Sequence, residues 1–321
     1  MPSKPTLLVT RRLPDNVLAR AERDYDARIN REDRLYNGHE IARLSDGCAG
    51  ILTCSTEKFP PAMIERLPAS VKIIATFSVG FEHIDLAAAK TRGIVVTNTP
   101  DVLTDSTADI AMLLMLGAAR RAFEGERLVR TATWTIWTPT FMLGVDVSGK
   151  TLGILGMGRI GQAVARRARG FGMEVHYSNR KRLPAAQEQG AIYHADADTM
   201  LRVIDFLSIN SPSTPETFHW LNERRIELMR PSAIVVNTAR GSIVDDNALI
   251  AALRTGRLRA AGLDVYEGEP NINPAYRELD NAFLLPHVGS ATEGTRDAMG
   301  FRALDNLDAF FGGREPPDRL V

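Results

Sequence analysis

Short apolar runs of β type recur along the first third of the chain, at 6–10 (TLLVT), 49–53 (AGILT), 72–78 (KIIATFS) and 93–99 (GIVVTNT). Stretches of helical character separate them: DNVLARAERD, PAMIERLP and IDLAAAKTRG. Strand and helix in alternation predict a parallel sheet. A longer helical pattern follows, from Thr104 to Arg130, with Thr104, Asp105 or Ser106 available as its N-cap; it is too long for a simple crossover. The alternation then restarts with TLGILG, EVHYS, DFLSIN, AIVVNTA, AAGLDVY and AFLLPH as strands, and IGQAVARRARGF and DDNALIAALRTG among the helices between them. This second series predicts a larger doubly wound unit. A last helical segment, ATEGTRDAMGFRALDNLDAFFGG, comes after the final strand and is placed to return to the first unit, while the Pro-rich tail REPPDRLV reads as extended. The expectation is therefore two doubly wound parallel-sheet α/β domains, one built from 1–98 and 290–321, the other from 99–289, with no internal repeat.

Size and composition agree with two domains: 321 residues with 44% hydrophobic content can build two cores. The 39 basic and 39 acidic residues cancel, which removes any bulk electrostatic reason to bind nucleic acid or an anionic membrane and leaves a small molecule as the expected partner. No run of about 18 apolar residues occurs, so no spanning helix is expected. Two cysteines, Cys48 and Cys54, and an N-terminus without an apolar signal segment point to a reducing, cytoplasmic setting.

The first chemistry-bearing motif is GILGMGRIG, where Gly156, Gly158 and Gly161 follow an apolar strand and open a helix. The spacing alone is weak; its place between strand and helix makes it a dinucleotide fingerprint. Gly156 allows the turn, Gly158 the approach of a pyrophosphate and Gly161 the packing of helix on strand, with the N–H groups of Arg159 and Ile160 at the positive helix end. About 20 residues on, an NAD site usually carries an acid against the ribose 2′-hydroxyl. Here the next strand ends at Tyr177, and Val175 to Arg182 contains no Asp or Glu; Ser178, Asn179 and Arg180 occupy the tip. A hydroxyl, an amide and a guanidinium suit a 2′-phosphate, which a carboxylate would repel. NADP(H) is the expected cofactor and NAD(H) the alternative; the other reading of Arg180, Lys181 and Arg182 is a solvated loop.

Three later motifs bring reactive residues to strand ends: NTARGSIVD with Arg240, AGLDVYEGEP with Asp264, Glu267 and Glu269, and LLPHVGSAT with His287. With SVGFEHIDL, GIVVTNTPDVLTDSTAD, SPSTPET and ALDNLDAFF, they make the chain resemble the D-isomer-specific 2-hydroxyacid dehydrogenase family, and most closely its glyoxylate/hydroxypyruvate reductase branch, over nearly its whole length. The residue types themselves suit a 2-oxo acid reductase. Arg240 can grip a carboxylate, as can main-chain donors at Val79 and Gly80, and His287 can protonate a carbonyl oxygen. A carboxylate beside His287 would hold the imidazole charged until the proton leaves. Glu269 is assigned that part over Glu267, because in the family pattern the acid directly precedes proline.

The resemblance further implies a Rossmann nucleotide-binding domain inserted into a flavodoxin-like substrate domain. It implies that Asp264 contacts the nicotinamide carboxamide, that Thr107 lies near the cofactor, and that the protein is a homodimer in which Trp134 and Trp137 belong to the interface and Trp137 reaches a neighbouring active site. Core packing is the other reading of the two tryptophans. The remaining histidines, His39, His83, His176, His194 and His219, read as structural, with His83 a candidate for the substrate site. Phosphoglycerate dehydrogenases, many of which carry further C-terminal sequence, and formate dehydrogenases, with Gln in place of Glu269, fit less well. A rival of another class is a dinucleotide-sensing corepressor on the same fold, which a turnover assay separates. Substrate width is left to loops around Cys54, Ser55 and Met142.

Overall fold

The computed structural model describes residues 4–321. The chain divides into two compact units, one of residues up to Leu103 together with Ser290–Val321, the other Thr104–Gly289. The first crossing thus follows Leu103 instead of residue 98. The reason is local: Asn98 and Thr99 are still tied to the first unit, Thr99 N–H donating to Ser78 O (2.9 Å) and Asn98 N–H to Asp318 O (3.3 Å).

The first unit holds strands β1 (Thr6–Val9), β2 (Asp26–Ile29), β3 (Gly50–Thr53), β4 (Ile73–Thr76) and β5 (Val95–Thr97). They lie in the order β2-β1-β3-β4-β5, all parallel, which is the flavodoxin-like arrangement. β3 and β4 are buried along their whole length, as strands covered on both faces must be. β2 has no counterpart in the sequence pattern. It is an edge strand of alternating exposed and half-buried residues, DARI, and so presents no apolar run. Helix Glu293–Phe311 packs on β4 and on helix Asp15–Asp24. Fully buried Asn306 fastens the tail there: its Nδ2–H donates to Asn98 O (3.2 Å) and Asp318 Oδ2 (2.9 Å), its Oδ1 accepts Asp318 N–H (3.0 Å), and Arg302 grips Asp318 at 2.6 and 2.8 Å.

The second unit holds β6 (Thr151–Leu155), β7 (Glu174–Ser178), β8 (Ile192–Tyr193), β9 (Phe206–Ile209), β10 (Ile234–Asn237), β11 (Ala260–Leu263) and β12 (Ala282–Leu284). Their order is β12-β11-β10-β9-β6-β7-β8, again all parallel. Counted from β6 this is the Rossmann order with one added strand, and the order reverses between β6 and β9. β8, two residues at the other edge, also lacks a signal in the sequence. The long helical pattern is two helices, Thr104–Ala119 and Ala122–Arg130. Arg121 breaks it by adopting a left-handed conformation (φ 55°), held by a bidentate pair with Glu124 at 2.6 and 2.7 Å, while Val145 N–H donates to Ala119 O at the helix end (2.9 Å). Thr104, Asp105 and Ser106 are the first three residues of the first of these helices. Among the described residues no helix is long and apolar enough to cross a membrane, and no cluster of His, Cys, Asp and Glu could hold a metal.

Candidate active site

In a parallel sheet the loops after the strands collect at one edge, and the point where strand order reverses opens a crevice there. Gly156 leaves β6 at that point with φ 90°; a Cβ on it would lie 2.7 Å from Ser211 N, in the loop that leaves β9. Gly161 is equally constrained, since its Cβ would meet Gly156 O at 2.4 Å. Gly158 differs: a Cβ there would meet nothing within 4 Å, so the backbone borders open space. It also caps helix Arg159–Gly170 without any side-chain cap, which leaves the positive helix end to a ligand. Buried oxygens of two neighbouring residues, Asn210 Oδ1 after β9 and Thr238 Oγ1 after β10, have no partner. A cradle of open backbone with unsatisfied polar atoms beside it fits a dinucleotide. Sequence reasoning misses Asn210 and Thr238 because their type is common; only their orphaned burial marks them.

The tip after β7 is narrower than expected. The strand runs to Ser178, which is buried and whose carbonyl accepts Gly156 N–H (3.0 Å). Asn179 is half-buried and its Oδ1 accepts Met157 N–H (2.6 Å), bracing the glycine loop. Of the three expected residues Arg180 alone is exposed.

The other motifs sit on β10, β11 and β12, which are adjacent. Arg240 follows β10, half-buried, with Nη1–H donating to Ala239 O (2.6 Å) and its own carbonyl accepting from Asn237 Nδ2 (3.0 Å). Gly241 next to it allows a close approach: its Cβ would stand 1.8 Å from the carbonyl carbon of Tyr266. This contact sets the Arg240 loop against the loop that carries Glu267 and Glu269. His287 follows β12 with φ 56°, and its Nδ1 lies 2.5 Å from Glu269 Oε1. Nδ1–H therefore donates to the carboxylate and Nε2 is left to exchange a proton. Glu269 Oε2 accepts Tyr266 N–H (3.2 Å). Burial by itself would raise the Glu269 carboxyl, but the hydrogen bond and charge of His287, the Tyr266 N–H and the Arg240 cation outweigh it and hold the group below its usual range.

Asp264, after β11, is 1% exposed and both its oxygens are engaged, by Val288 N–H and Gly289 N–H at 2.7 Å each, while its carbonyl accepts His287 N–H (2.8 Å). It fastens the histidine loop, a task the sequence does not suggest. Burial raises its carboxyl, against the two N–H donors. Thr107 is buried beside Gly289, within 3.5 Å of where a Cβ on that glycine would stand. The structure thus gathers Thr107, the glycine loop, Arg240, Asp264, Glu269 and His287 in one unit. Val79 and Gly80 belong to the other unit, after β4. Asn98 Nδ2–H donates to Val79 O (2.8 Å) and Ser78 Oγ–H to Gly80 O (2.6 Å), while their own N–H groups meet no acceptor among the described residues. Burial pushes the Cys54 thiol up to about 12. His83 is buried with Nε2 2.9 Å from Thr76 Oγ1.

Residues 112–289 match the family model described as D-isomer specific 2-hydroxyacid dehydrogenase, NAD binding domain. The chain is 45% identical over 315 residues to a glycerate dehydrogenase of Hyphomicrobium methylovorum, covering 98% of each. It is 42% identical to a glyoxylate reductase of Thermococcus litoralis, covering 98% of this chain and 96% of the other. Among solved structures, an NADPH-dependent glyoxylate/hydroxypyruvate reductase from Sinorhizobium meliloti, in complex with NADP and malonate, is similar with a TM-score of 0.88 at 34% identity, covering 99% of this chain and 97% of that one.

Proposed function

The chain belongs to the D-isomer-specific 2-hydroxyacid dehydrogenase family, and from that premise we propose that it reduces small 2-oxo acids of the glyoxylate and hydroxypyruvate type to D-2-hydroxy acids, with NADPH as preferred reductant. The observation that carries this reading is the pairing of His287 with Glu269 beside Arg240, on the same sheet edge as the glycine loop. When bound, the reduced nicotinamide supplies the hydride that the carbonyl carbon receives. Arg240 holds the substrate carboxylate and carbonyl oxygen with its planar fork. His287 Nε2 gives its proton to the carbonyl oxygen as that becomes a hydroxyl. Glu269 steadies the charged imidazole beforehand and keeps Nδ1 protonated throughout. Asp264 keeps the loop in place through Val288 and Gly289, and Thr107 supports its far end at Gly289.

The cofactor preference rests on the absence of an acid from Val175 to Arg182 and on the exposure of Arg180. Replacing Arg180 by Ala removes charge-assisted bonds to a 2′-phosphate and should weaken NADPH roughly tenfold or more while NADH changes little. Trp134, Ile136, Trp137 and Leu143 are 54–71% exposed, which rules out core packing and favours the proposed homodimer interface. A monomer by light scattering would overturn that part. The decisive experiment compares glyoxylate, hydroxypyruvate, pyruvate and a bulkier 2-oxo acid, each with NADPH and NADH. Rapid NADPH-dependent turnover of the first two is expected. Tight dinucleotide binding with no turnover of any would support the corepressor reading instead.

A further inference from the structure

Of the five residues from Asn179 to Leu183, three are tied down, and Arg180 and Lys181 at the tip are the exceptions. At its far end Arg182 Nε–H donates to Glu188 Oε1 (2.8 Å) and Nη2–H to Oε2 (3.1 Å). Tyr177 OH, from within β7, donates to the same Oε1 (2.6 Å) and accepts Leu183 N–H (3.0 Å). Arg182 also lies over the Tyr193 ring (5.8 Å), and Tyr193 OH donates to Asn179 O (3.4 Å). Glu188 is the hub: a buried carboxylate that joins the root of the loop to its end. Hydrogen bonds from Arg182 and Tyr177 hold its carboxyl down to about 2 against desolvation, so the hub is ionised at any working pH. Its charge cancels that of Arg182 and leaves Arg180 and Lys181, both exposed, as the cations the loop presents.

We propose that Glu188 is a positioning residue for cofactor discrimination: by clamping Arg182 and Tyr177 it fixes the backbone from which Arg180 meets the 2′-phosphate, without touching the cofactor. This rests on the NADPH reading above. The clamp holds the far end of the loop, whereas the glycine loop that receives the pyrophosphate is braced at the loop's root, by Asn179 Oδ1 accepting Met157 N–H and Ser178 O accepting Gly156 N–H. Loss of the clamp should therefore harm binding of the phosphorylated ribose and spare the rest of the dinucleotide.

The test uses the intact protein and two probes, adenosine 2′,5′-bisphosphate and adenosine 5′-monophosphate, titrated calorimetrically, beside steady-state KM and kcat for NADPH and NADH. For Glu188→Ala we expect adenosine 2′,5′-bisphosphate binding and the KM for NADPH to worsen about tenfold, the size of one or two charge-assisted bonds held out of position. Adenosine 5′-monophosphate, the KM for NADH and kcat at saturating NADPH should stay within about threefold. Glu188→Gln, which keeps the shape and one acceptor oxygen, should restore part of the loss. Arg182→Ala should resemble Glu188→Ala, and the double variant should be no worse than either single one, because both break the same clamp. Unchanged or tighter NADPH in Glu188→Ala, with Arg182→Ala still harmful, would overturn the proposal in favour of direct contact by Arg182. Equal losses for NADPH and NADH would overturn it in favour of a merely structural role. If wild type binds both probes alike and Arg180→Ala changes neither cofactor, the NADPH reading itself fails; if Arg180→Ala is selective and Glu188→Ala is not, this proposal fails alone.

Discussion

One loop of the second unit carries two glutamates, and each meets a histidine. Glu269 pairs with His287 at 2.5 Å and Glu267 with His219 at 3.0 Å. Both histidines have positive φ, 56° and 46°, and all four side chains are partly exposed. The residue types therefore do not tell the pairs apart; the surroundings do. His287 follows β12, its backbone N–H is held by Asp264 O, and it uses Nδ1 on the glutamate, which leaves Nε2 for a substrate. Arg240 adds a positive charge at Glu269. His219 instead uses Nε2 on its glutamate, its ring is stacked on Phe218 at 4.0 Å, and its backbone N–H donates to Ser242 O. Near it stands the negative charge of Asp246, whose carboxyl burial raises even though Tyr276 donates to it. The comparison teaches that the sheet edge and the neighbouring cation set apart the pair we propose as the catalytic dyad, while the second pair ties His219 to the same loop.

The largest effect that would sharpen this contrast is loss of the proton donor. His287→Ala should lower kcat for reduction by about 10²–10⁴-fold at every pH, the usual worth of a placed general acid, whereas His219→Ala should not. Next comes a change that disturbs both pairs. Gly241→Ala forces a methyl against the Tyr266 carbonyl carbon, so the shared loop must shift; a stability loss of about 1–3 kcal/mol, read by denaturant melts, should accompany a fall in kcat/KM. The smallest effect belongs to Glu267→Gln, for which kcat/KM should stay within about threefold. A loss as large as that of His287→Ala would erase the distinction between the pairs.

Much of this arrangement is legible in the amino-acid sequence. The strands of the sheet interiors announce themselves as apolar runs, and the glycine loop, Arg240 and His287 stand in motifs whose order fixes their neighbours. What the sequence hides has a physical reason in each case. β2 is an edge strand of alternating exposed and half-buried residues and β8 is two residues long, so neither makes an apolar run that stands out. Arg121 breaks a helix without glycine or proline, which no propensity foretells. The motif spacing puts Ser178 at an exposed tip, but the strand continues one residue further and buries it. Resemblance gives Asp264 a cofactor contact, while its engagement with two backbone N–H groups depends on a turn visible only in three dimensions. The clamp at Glu188 joins residues from a strand, a loop and a short helix, and no local pattern marks it.

Glu269 is the carboxylate that His287 Nδ1 meets. Its carboxyl is held below the ordinary value near 4.5, so the carboxylate is ionised above that pH and takes up a proton only as pH falls through the lowered value. Through the neutral range Glu269 is thus a fixed anion beside His287 Nδ1. The measurement is the pH profile of NADPH-dependent glyoxylate reduction for wild type, Glu269→Gln and Glu267→Gln. The basic limb should move to lower pH in Glu269→Gln and stay in place in Glu267→Gln. An unmoved limb in Glu269→Gln, or an equal shift in both variants, would contradict the assignment.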